Sequence, residues 1–403
     1  MDNRIKQIIE KLSANEEGSF YVYDKETIDC KASELVQAFA GYEFLYSIKT
    51  NPFADVVKHI FAKGFGADAA SAAEVDLATR LGAPVEKIFY STPGKTRKDI
   101  ESVLEKCTII ADSYEELKLL DTIAKEKGMH LPVGIRINPD FSMFGEEGMS
   151  SKFGIDEETL KENKEVLAGC SALSIVGIHV HLRSQVLDID VLLRYYRKIF
   201  AHAAQCKSEL GWKLSFINFG GGLGIAYATG QDKPLDITSL GDKCRQMARE
   251  FDELSSTRLL IETGRYLVCE AGSYVTPVVD CKQSRGTKYL VVQNGLNGFM
   301  RPALARLLAN ATSGALSNFS AEPLFTGTDA FDFTIIGRGV DKQLEKVTVV
   351  GSLCTGTDIL AEGIMLAKAE IGDYLVVSKA GSYAYTLSPL LFSSQAVPKQ
   401  FLV

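Results

Sequence analysis

The chain is short of the residues that build disulfide and metal sites. Its eight cysteines stand singly, at 30, 107, 170, 206, 244, 269, 281 and 354, with no Cys-x-x-Cys pair. That spacing excludes a disulfide framework and a zinc ribbon, and it suits free thiols in a reducing, cytoplasmic setting. Five histidines without a His-Glu-x-x-His arrangement argue against a metal centre. Positive charge is in deficit: 44 Lys and Arg against 51 Asp and Glu leave a net −7, without the basic footprint of a nucleic-acid binder. The small cluster Lys95-Thr96-Arg97-Lys98 reads as a solvated helix start. No apolar run approaches the roughly 20 residues of a membrane span, and the opening Met1-Asp2-Asn3-Arg4-Ile5-Lys6 is charged rather than signal-like. Internal repeats and low-complexity tracts are absent too.

What is present is alternation. Eight short apolar bursts, at 43–48, 65–70, 87–90, 107–111, 132–137, 175–180, 214–219 and 258–261, are separated by amphipathic stretches. Those stretches, at 54–63, 72–81, 97–105, 114–127, 157–168, 186–209 and 237–253, carry a helical period. Strand–helix alternation at this spacing implies parallel strands joined by crossover helices, and eight units favour a closed (β/α)8 TIM barrel over an open sheet. After Arg265 the pattern becomes β-rich (275–279, 289–292, 346–350, 374–378), with helical character near 302–309. The expected fold is α/β: a barrel over 25–265, and a mainly antiparallel β domain formed by 266–403 with 1–24, whose strand-like 19–23 joins it. Residues 312–330, rich in Ser, Gly, Asn and Thr, read as a loop.

Barrel chemistry sits where the strands end. The bursts run out into Lys49; Asp68 and Ser71; Ser91 to Lys95; Asp112; Arg136-Ile137-Asn138-Pro139; His179-Val180-His181-Leu182-Arg183-Ser184; Gly220-Gly221-Gly222; and Glu262-Thr263-Gly264-Arg265. Each has a plainer reading: a lysine snorkelling from a strand end, a tightly packed glycine turn, a buried structural histidine. Together they describe a site. A glycine turn lets backbone N–H groups approach an anion, and Arg265 adds a charged donor one strand further round. A phosphate site opposite a strand-end lysine suggests pyridoxal 5′-phosphate, which needs an amine, an anion site, a partner for its pyridine nitrogen and packing on its ring. Lys49 supplies the amine, Glu262 the nitrogen partner and His181 the stacking face. Arg136 is a candidate for contacting Lys49 or a cofactor oxygen, and Asp68 and Gly264 fall in the same set.

At these residues the chain resembles the alanine racemase-fold (fold type III) pyridoxal-phosphate decarboxylases, which act on diaminopimelate, ornithine, arginine and related substrates. The matching segments are Tyr46-Ser47-Ile48-Lys49-Thr50-Asn51, Asp68 to Glu74, Arg136 to Pro139, Ser151-Lys152-Phe153-Gly154, His179-Val180-His181, Asn218 to Gly222, Glu262 to Arg265, Gly351-Ser352-Leu353-Cys354 and Ala380-Gly381-Ser382-Tyr383. They follow the family's order over nearly the whole chain. The resemblance implies that Lys49 forms the Schiff base, His181 stacks on the ring and Glu262 faces the pyridine nitrogen. It puts Ser184, Gly221, Gly222, Arg265 and Tyr383 on the phosphate. It further implies a head-to-tail homodimer with shared active sites, in which Cys354 arrives from the partner subunit as proton donor. The complete cysteine segment and the glutamate at the ring nitrogen favour decarboxylase over racemase.

Departures from the family pattern bear on the substrate. Diamine-type members carry an acidic residue after the partner cysteine; here Thr355 stands there, and a neutral side chain is no charge partner for a desolvated ammonium. Asp358 remains, at a position that is more structural in the family. Arg183 replaces the glycine of the usual His-Ile-Gly-Ser-Gln, beside Ser184. Arg301 matches the family's substrate-carboxylate arginine. The tail around Ser388-Pro389 is similar to biosynthetic tailoring decarboxylases, such as those acting on carrier-protein-linked glutamate in butirosin assembly. The expected activity is decarboxylation of an amino acid or amino-acid conjugate, free or carrier-linked, in an antibiotic, siderophore or peptide-modification pathway. The alternatives are a diaminopimelate or basic amino-acid decarboxylase, and a non-catalytic cofactor-binding homologue. Neither nucleic acid nor membrane is an expected partner.

Overall fold

The computed structural model describes residues 2–145, 147–228, 230–312, 327–337 and 343–403. Most of the stretch read as a loop, residues 313–326, lies outside them. The chain divides into two compact units: Cys30–Gly224 with Leu235–Gly264, and Met1–Asp29 with Ile225–Pro234 and Arg265–Val403.

The first unit is a closed barrel. Its strands are β1 (Tyr42–Ser47), β2 (Gly66–Ala69), β3 (Ile88–Tyr90), β4 (Thr108–Ala111), β5 (Leu131–Asn138), β6 (Leu173–His179), β7 (Phe216–Asn218) and β8 (Arg258–Thr263). Each pairs in parallel with its sequence neighbour, and β8 pairs with β1 to close the ring. Helices return the chain between strands, and their starts are written in the sequence. Ser71, Ser113, Asp188 and Asp236 each cap a helix with a side-chain oxygen, and Thr96 with Asp99 forms a capping box. Asp188 explains why the helix expected from 186 begins at Ile189. The helix expected over 157–168 is two, Glu157–Glu162 and Lys164–Gly169, broken at Asn163, whose side-chain amide donates to the Thr159 carbonyl at 3.0 Å. A polar side chain that competes for backbone partners weakens a helix there.

Inside the barrel the residues form two layers. Leu45, Phe89, Ile110, Phe216 and Leu260 make one apolar cluster. Glycines on the intervening strands leave room for it: a Cβ on Gly177 would lie 2.3 Å from the Phe216 ring, and one on Gly66 2.7 Å from Leu45. Two residues further along each strand, facing the same way, come Ser47, Asp68, Ser91, Asp112, Arg136, His179, Asn218 and Glu262. All eight are buried. The apolar layer is a floor, and the polar layer is the bottom of the mouth.

The expectation that Lys95 belongs to a solvated cluster is corrected by the structure. Its ammonium is buried, bonded to Glu116 at 2.6 Å and to the Thr92 and Ile110 carbonyls at 2.7 Å each.

A second buried pair makes a testable stability element. His202 Nδ1 lies 2.6 Å from Glu157 Oε1, and its Nε2 lies 3.3 Å from Cys206 Sγ. Burial pulls the imidazole pKa down, but the sulfur and the carboxylate outweigh it and push it from 6.5 up to about 10. A folded value above the unfolded one stabilises fully below about pH 6.5, and that contribution is lost as pH rises through about 10. H202Q should therefore lose about 3 kcal/mol at pH 6 and converge with the parent chain in alkaline solution. Urea midpoints across pH check this; a deficit independent of pH would refute it.

Among the described residues, the second unit forms an eight-stranded, mainly antiparallel sheet. Gly272–Ser284 is central, pairing antiparallel with Phe20–Tyr23, Thr287–Val292 and Tyr374–Val377. Phe20–Tyr23, read as strand-like, thus joins this sheet. The two parallel pairings are Phe20–Tyr23 with Lys399–Leu402, and Thr287–Val292 with Leu344–Val350. Ile5 and Ile9 of the helix Asn3–Ser13 pack on Phe20, Val22, Val275, Ile336 and Val376. A further helix, Met300–Thr312, covers the stretch read as helical near 302–309.

Candidate active site

Lys49 occupies a single 3-10 turn, Ile48–Thr50, that follows β1 directly. Ile48 and Thr50 are buried, while the Lys49 side chain is 43% exposed. Its ammonium reaches Asp68 Oδ2 at 2.7 Å. Asp68 is fully buried and also accepts from Ser47 Oγ at 2.8 Å and Ser91 Oγ at 3.0 Å, so three strand ends hold the carboxylate that holds the lysine. Gly264 is required by this turn: a Cβ there would lie 2.1 Å from Thr50 Oγ1. Glu74, beside this group, accepts from the Ala70 N–H at 2.7 Å. Burial is the main reason its pKa rises to about 7, with the negative charge of Asp68 adding to it.

On β8, the neighbour of β1 on its other side, Glu262 Oε1 accepts from Asn218 Nδ2 at 2.9 Å. His179 Nε2 lies 3.1 Å from the same oxygen, within ion-pair distance but off the direction of a hydrogen bond. Burial would raise the Glu262 pKa; His179 and the Lys49 ammonium override it and hold the carboxyl well below the usual range. His181 Nδ1 accepts from the Gly221 N–H at 2.9 Å, which places any single ring proton on Nε2. Desolvation, with Arg136 and Lys49 nearby, brings its pKa down to about 3, so the ring is neutral. The glycine turn lies against this ring. Gly220 has φ +65°, and a Cβ on it would sit 2.4 Å from the Val180 carbonyl; one on Gly221 would sit 3.3 Å from His181 Cε1. Gly222, at φ +147°, accepts from the Val186 N–H through its carbonyl at 2.8 Å. The Tyr195 hydroxyl braces the same corner between the Val180 and Phe219 carbonyls, at 2.8 and 3.0 Å.

Arg136 donates to the His181 carbonyl at 3.3 Å, lies 3.9 Å from Asp112 and stacks over Phe153 at 4.3 Å. Arg183, one residue before Ser184, lies over the exposed Phe144 ring at 5.0 Å. The barrel unit therefore gathers Lys49, Asp68, Arg136, His181, Gly221, Gly222 and Glu262 at its strand ends. Gly264 closes the set, with Arg183 and Ser184 on the loop after β6.

The remaining sequence candidates belong to the second unit. Arg265 donates to the Tyr227 hydroxyl at 2.9 Å and lies over the Tyr383 ring at 5.3 Å. Tyr383 has φ +54° and follows Gly381, where a Cβ would fall 1.6 Å from the Val268 carbonyl. Arg301 is fully buried and donates to the Ser382 carbonyl at 2.9 Å and the Tyr227 hydroxyl at 3.0 Å. Cys354 is exposed on a turn organised by Asp358, whose carboxylate accepts from the Leu296 N–H at 2.6 Å and the Leu353 N–H at 3.0 Å. Thr355 and Thr357 share a hydroxyl contact of 2.9 Å on that turn. Sequence reasoning gave no role to Ser47, Ser91, Tyr195 or Tyr227, and quoted Glu74, His179 and Asn218 only within motifs.

The pyridoxal-binding domain of the pyridoxal-dependent decarboxylases, as a family model, matches residues 25–269. The chain belongs to this family. It is 30% identical over 98% of its length to the L-glutamyl-[BtrI acyl-carrier protein] decarboxylase of Niallia circulans, covering 90% of that protein. It is also 30% identical over 91% of its length to the diaminopimelate decarboxylase of Archaeoglobus fulgidus, covering 84% of it. Among solved structures, the diaminopimelate decarboxylase of M. jannaschii in complex with L-lysine superposes with a TM-score of 0.82 at 27% identity, over 98% of this chain and 89% of that one. The Helicobacter pylori diaminopimelate decarboxylase shares the fold, with a TM-score of 0.83 at 23% identity, over 98% and 94%. The protein is thus a pyridoxal 5′-phosphate-dependent amino-acid decarboxylase, a carboxy-lyase. No described helix is long and apolar enough to cross a membrane.

The residues of the barrel fit that cofactor. The reachable amine of Lys49 stands at a buried polar layer, near an ionised carboxylate and a neutral imidazole. Beside the imidazole runs a glycine turn whose missing side chains let its backbone lie against that ring.

Proposed function

We propose that this decarboxylase acts on an anionic or carrier-linked amino-acid conjugate rather than on a free diamine-type amino acid, as part of a biosynthetic pathway. The observation that carries this reading is the charge of the substrate-facing positions. Thr355 stands where diamine-type members of the family have an acid, and the cation Arg183 stands where they have glycine. An ammonium would meet no charge partner at Thr355, whereas an anionic group would find one at Arg183. The similarity to a carrier-protein decarboxylase over nearly the whole chain supports it. The second reading is diaminopimelate decarboxylation, favoured by the comparable similarity to enzymes of that name.

In this proposal Lys49 is the residue that would hold the cofactor through its reachable amine and reclaim it once product leaves. Glu262, held ionised by His179 and the Lys49 ammonium, would keep a proton at the pyridine nitrogen. His181, its Nδ1 committed to the Gly221 N–H, would pack on the ring, and Ser184, Gly221 and Gly222 would hold the phosphate, to which the resemblance also assigns Arg265 and Tyr383. When bound, the cofactor supplies the sink for the electron pair left as carbon dioxide departs. The new C–H bond takes its proton from Cys354, which a second copy of the chain contributes in a homodimer. Asp358 shapes the turn that carries that thiol.

Carbon dioxide release from carrier-linked glutamate, diaminopimelate, ornithine, lysine and arginine tests the reading, and robust turnover of any of the last four sinks it. R183G, which restores the family glycine, should lower kcat/KM for the anionic substrate about tenfold. The same substitution should leave or improve any activity on a cationic one.

A further inference from the structure

The carboxylate that receives the Lys49 ammonium is held through both of its oxygens. Asp68 lies fully buried in β2. Its Oδ2 accepts from Ser47 Oγ at 2.8 Å as well as from Lys49 Nζ at 2.7 Å, and its Oδ1 accepts from Ser91 Oγ at 3.0 Å. Each serine comes from a neighbouring strand. Ser47 ends β1 and sits directly across the ladder from Asp68. Ser91 follows β3, where its N–H donates to the Ala69 carbonyl at 3.3 Å. The backbone therefore delivers both hydroxyls to one side chain.

A serine at a helix start ordinarily caps it, as Ser71 and Ser113 do in this barrel. Ser47 stands at the cap position of the turn that carries Lys49, yet its side chain makes no capping bond. Its hydroxyl goes to Asp68 instead. The reason lies in what Lys49 must do. Among the described residues, Lys49 supplies the cation within ion-pair distance of Asp68. To hold an aldehyde, that ammonium gives up a proton to solvent, its nitrogen bonds the aldehyde carbon, and the aldehyde oxygen leaves as water. A nitrogen that had three N–H donors then keeps at most one. A buried carboxylate deserted by its cation is costly, and hydrogen bonds to it offset that cost.

We propose that Ser47 and Ser91 are positioning residues for Lys49 that act through Asp68. They satisfy the carboxylate while the amine is engaged, and they keep it aimed at the place to which the ammonium returns. This rests on the reading of Lys49 as the amine that holds the cofactor. With both hydroxyls in place Asp68 loses less when Lys49 leaves, so the amine is easier to withdraw and the pair re-forms in one geometry. Without either hydroxyl, Asp68 depends more on the ammonium, and capture of an aldehyde becomes harder.

The test titrates the full chain, freed of cofactor, by equilibrium dialysis with two compounds: pyridoxal 5′-phosphate, which has the aldehyde, and pyridoxine 5′-phosphate, which has an alcohol in its place. S47A and S91A should each weaken binding of the aldehyde about tenfold while leaving the alcohol within about twofold. A purely structural role would move both compounds together. Equal losses for both, or none for either, would overturn the proposal. D68N checks the route. In a D68N chain S47A should no longer change the ratio of the two affinities, and a full S47A effect there would also overturn the proposal. If D68N fails to fold, the serine variants still decide, because each deletes one oxygen and leaves little cavity. K49A separates the two levels, and it should bind both compounds alike. If it keeps a preference for the aldehyde, the reading of Lys49 falls, and this inference with it. If it loses that preference while S47A and S91A keep the parent value, only the present inference fails.

Discussion

K49A is expected to lower carbon dioxide release by about three orders of magnitude or more, because it removes the one amine through which cofactor and product are exchanged. The structure indicates how to separate this from damage to the fold. Lys49 is half exposed on a turn anchored by buried Ile48 and Thr50, so its truncation leaves little cavity. Asp68 is the vulnerable partner: fully buried, it would keep the Ser47 and Ser91 hydroxyls but lose its cation, at about 1–3 kcal/mol. K49R restores a charge near Asp68 without a condensing amine. It should recover thermal stability and remain inactive. Borohydride reduction of the parent holoenzyme followed by peptide mass spectrometry should place the pyridoxyl group on Lys49. An adduct at another lysine would contradict the assignment.

E262Q is the second large expected effect, a loss of about 10²–10³ in kcat, comparable to removing one preorganised electrostatic group from an active site. Glutamine preserves shape, and its carbonyl can still accept from Asn218, so the substitution tests charge rather than packing. Interaction with His179 and Lys49 holds the native carboxyl well below the ordinary range, despite burial. Acidification to about pH 5 should therefore leave this group ionised in the parent enzyme. The E262Q defect should stay constant from pH 6 to 8 when kcat is measured at saturating cofactor. A defect confined to cofactor affinity, with kcat unchanged, would show that Glu262 only helps to hold the ring.

The barrel was readable because its period is strong. Each strand is a short apolar burst, and the chemistry begins at the next polar residue inside the mouth, as at Lys49, Asp68, Arg136 and Glu262. The same rule extends to Asn218 and His179, which stand two residues past Phe216 and Gly177. They figure within sequence motifs but receive no role of their own there, because asparagine and histidine at strand ends are common in any sequence. The second unit was less legible. Ile359–Ala367 forms a strand although it contains Ala361, Glu362 and Gly363, the last at φ +64°; its pairing with Leu344–Val350 across two irregularities overrides weak local preference. Tyr227 left no local signal at all. Its meaning depends on a hydroxyl meeting arginines 38 and 74 residues away, a coincidence that only tertiary structure creates.

The apolar layer of Leu45, Phe89, Ile110, Phe216 and Leu260 has a consequence for how reaction outcomes divide. Among the described residues it stops the barrel from below, so water, carbon dioxide and product meet the polar ring from the strand-end side. The barrel wall can decide how well electrons are accepted, but the five apolar side chains of its floor carry no proton to deliver from underneath. The handedness of protonation, and the leak to side reactions with solvent, must then be governed by whatever closes the opening. Those traits could be altered there while the eight strands and their floor stay untouched.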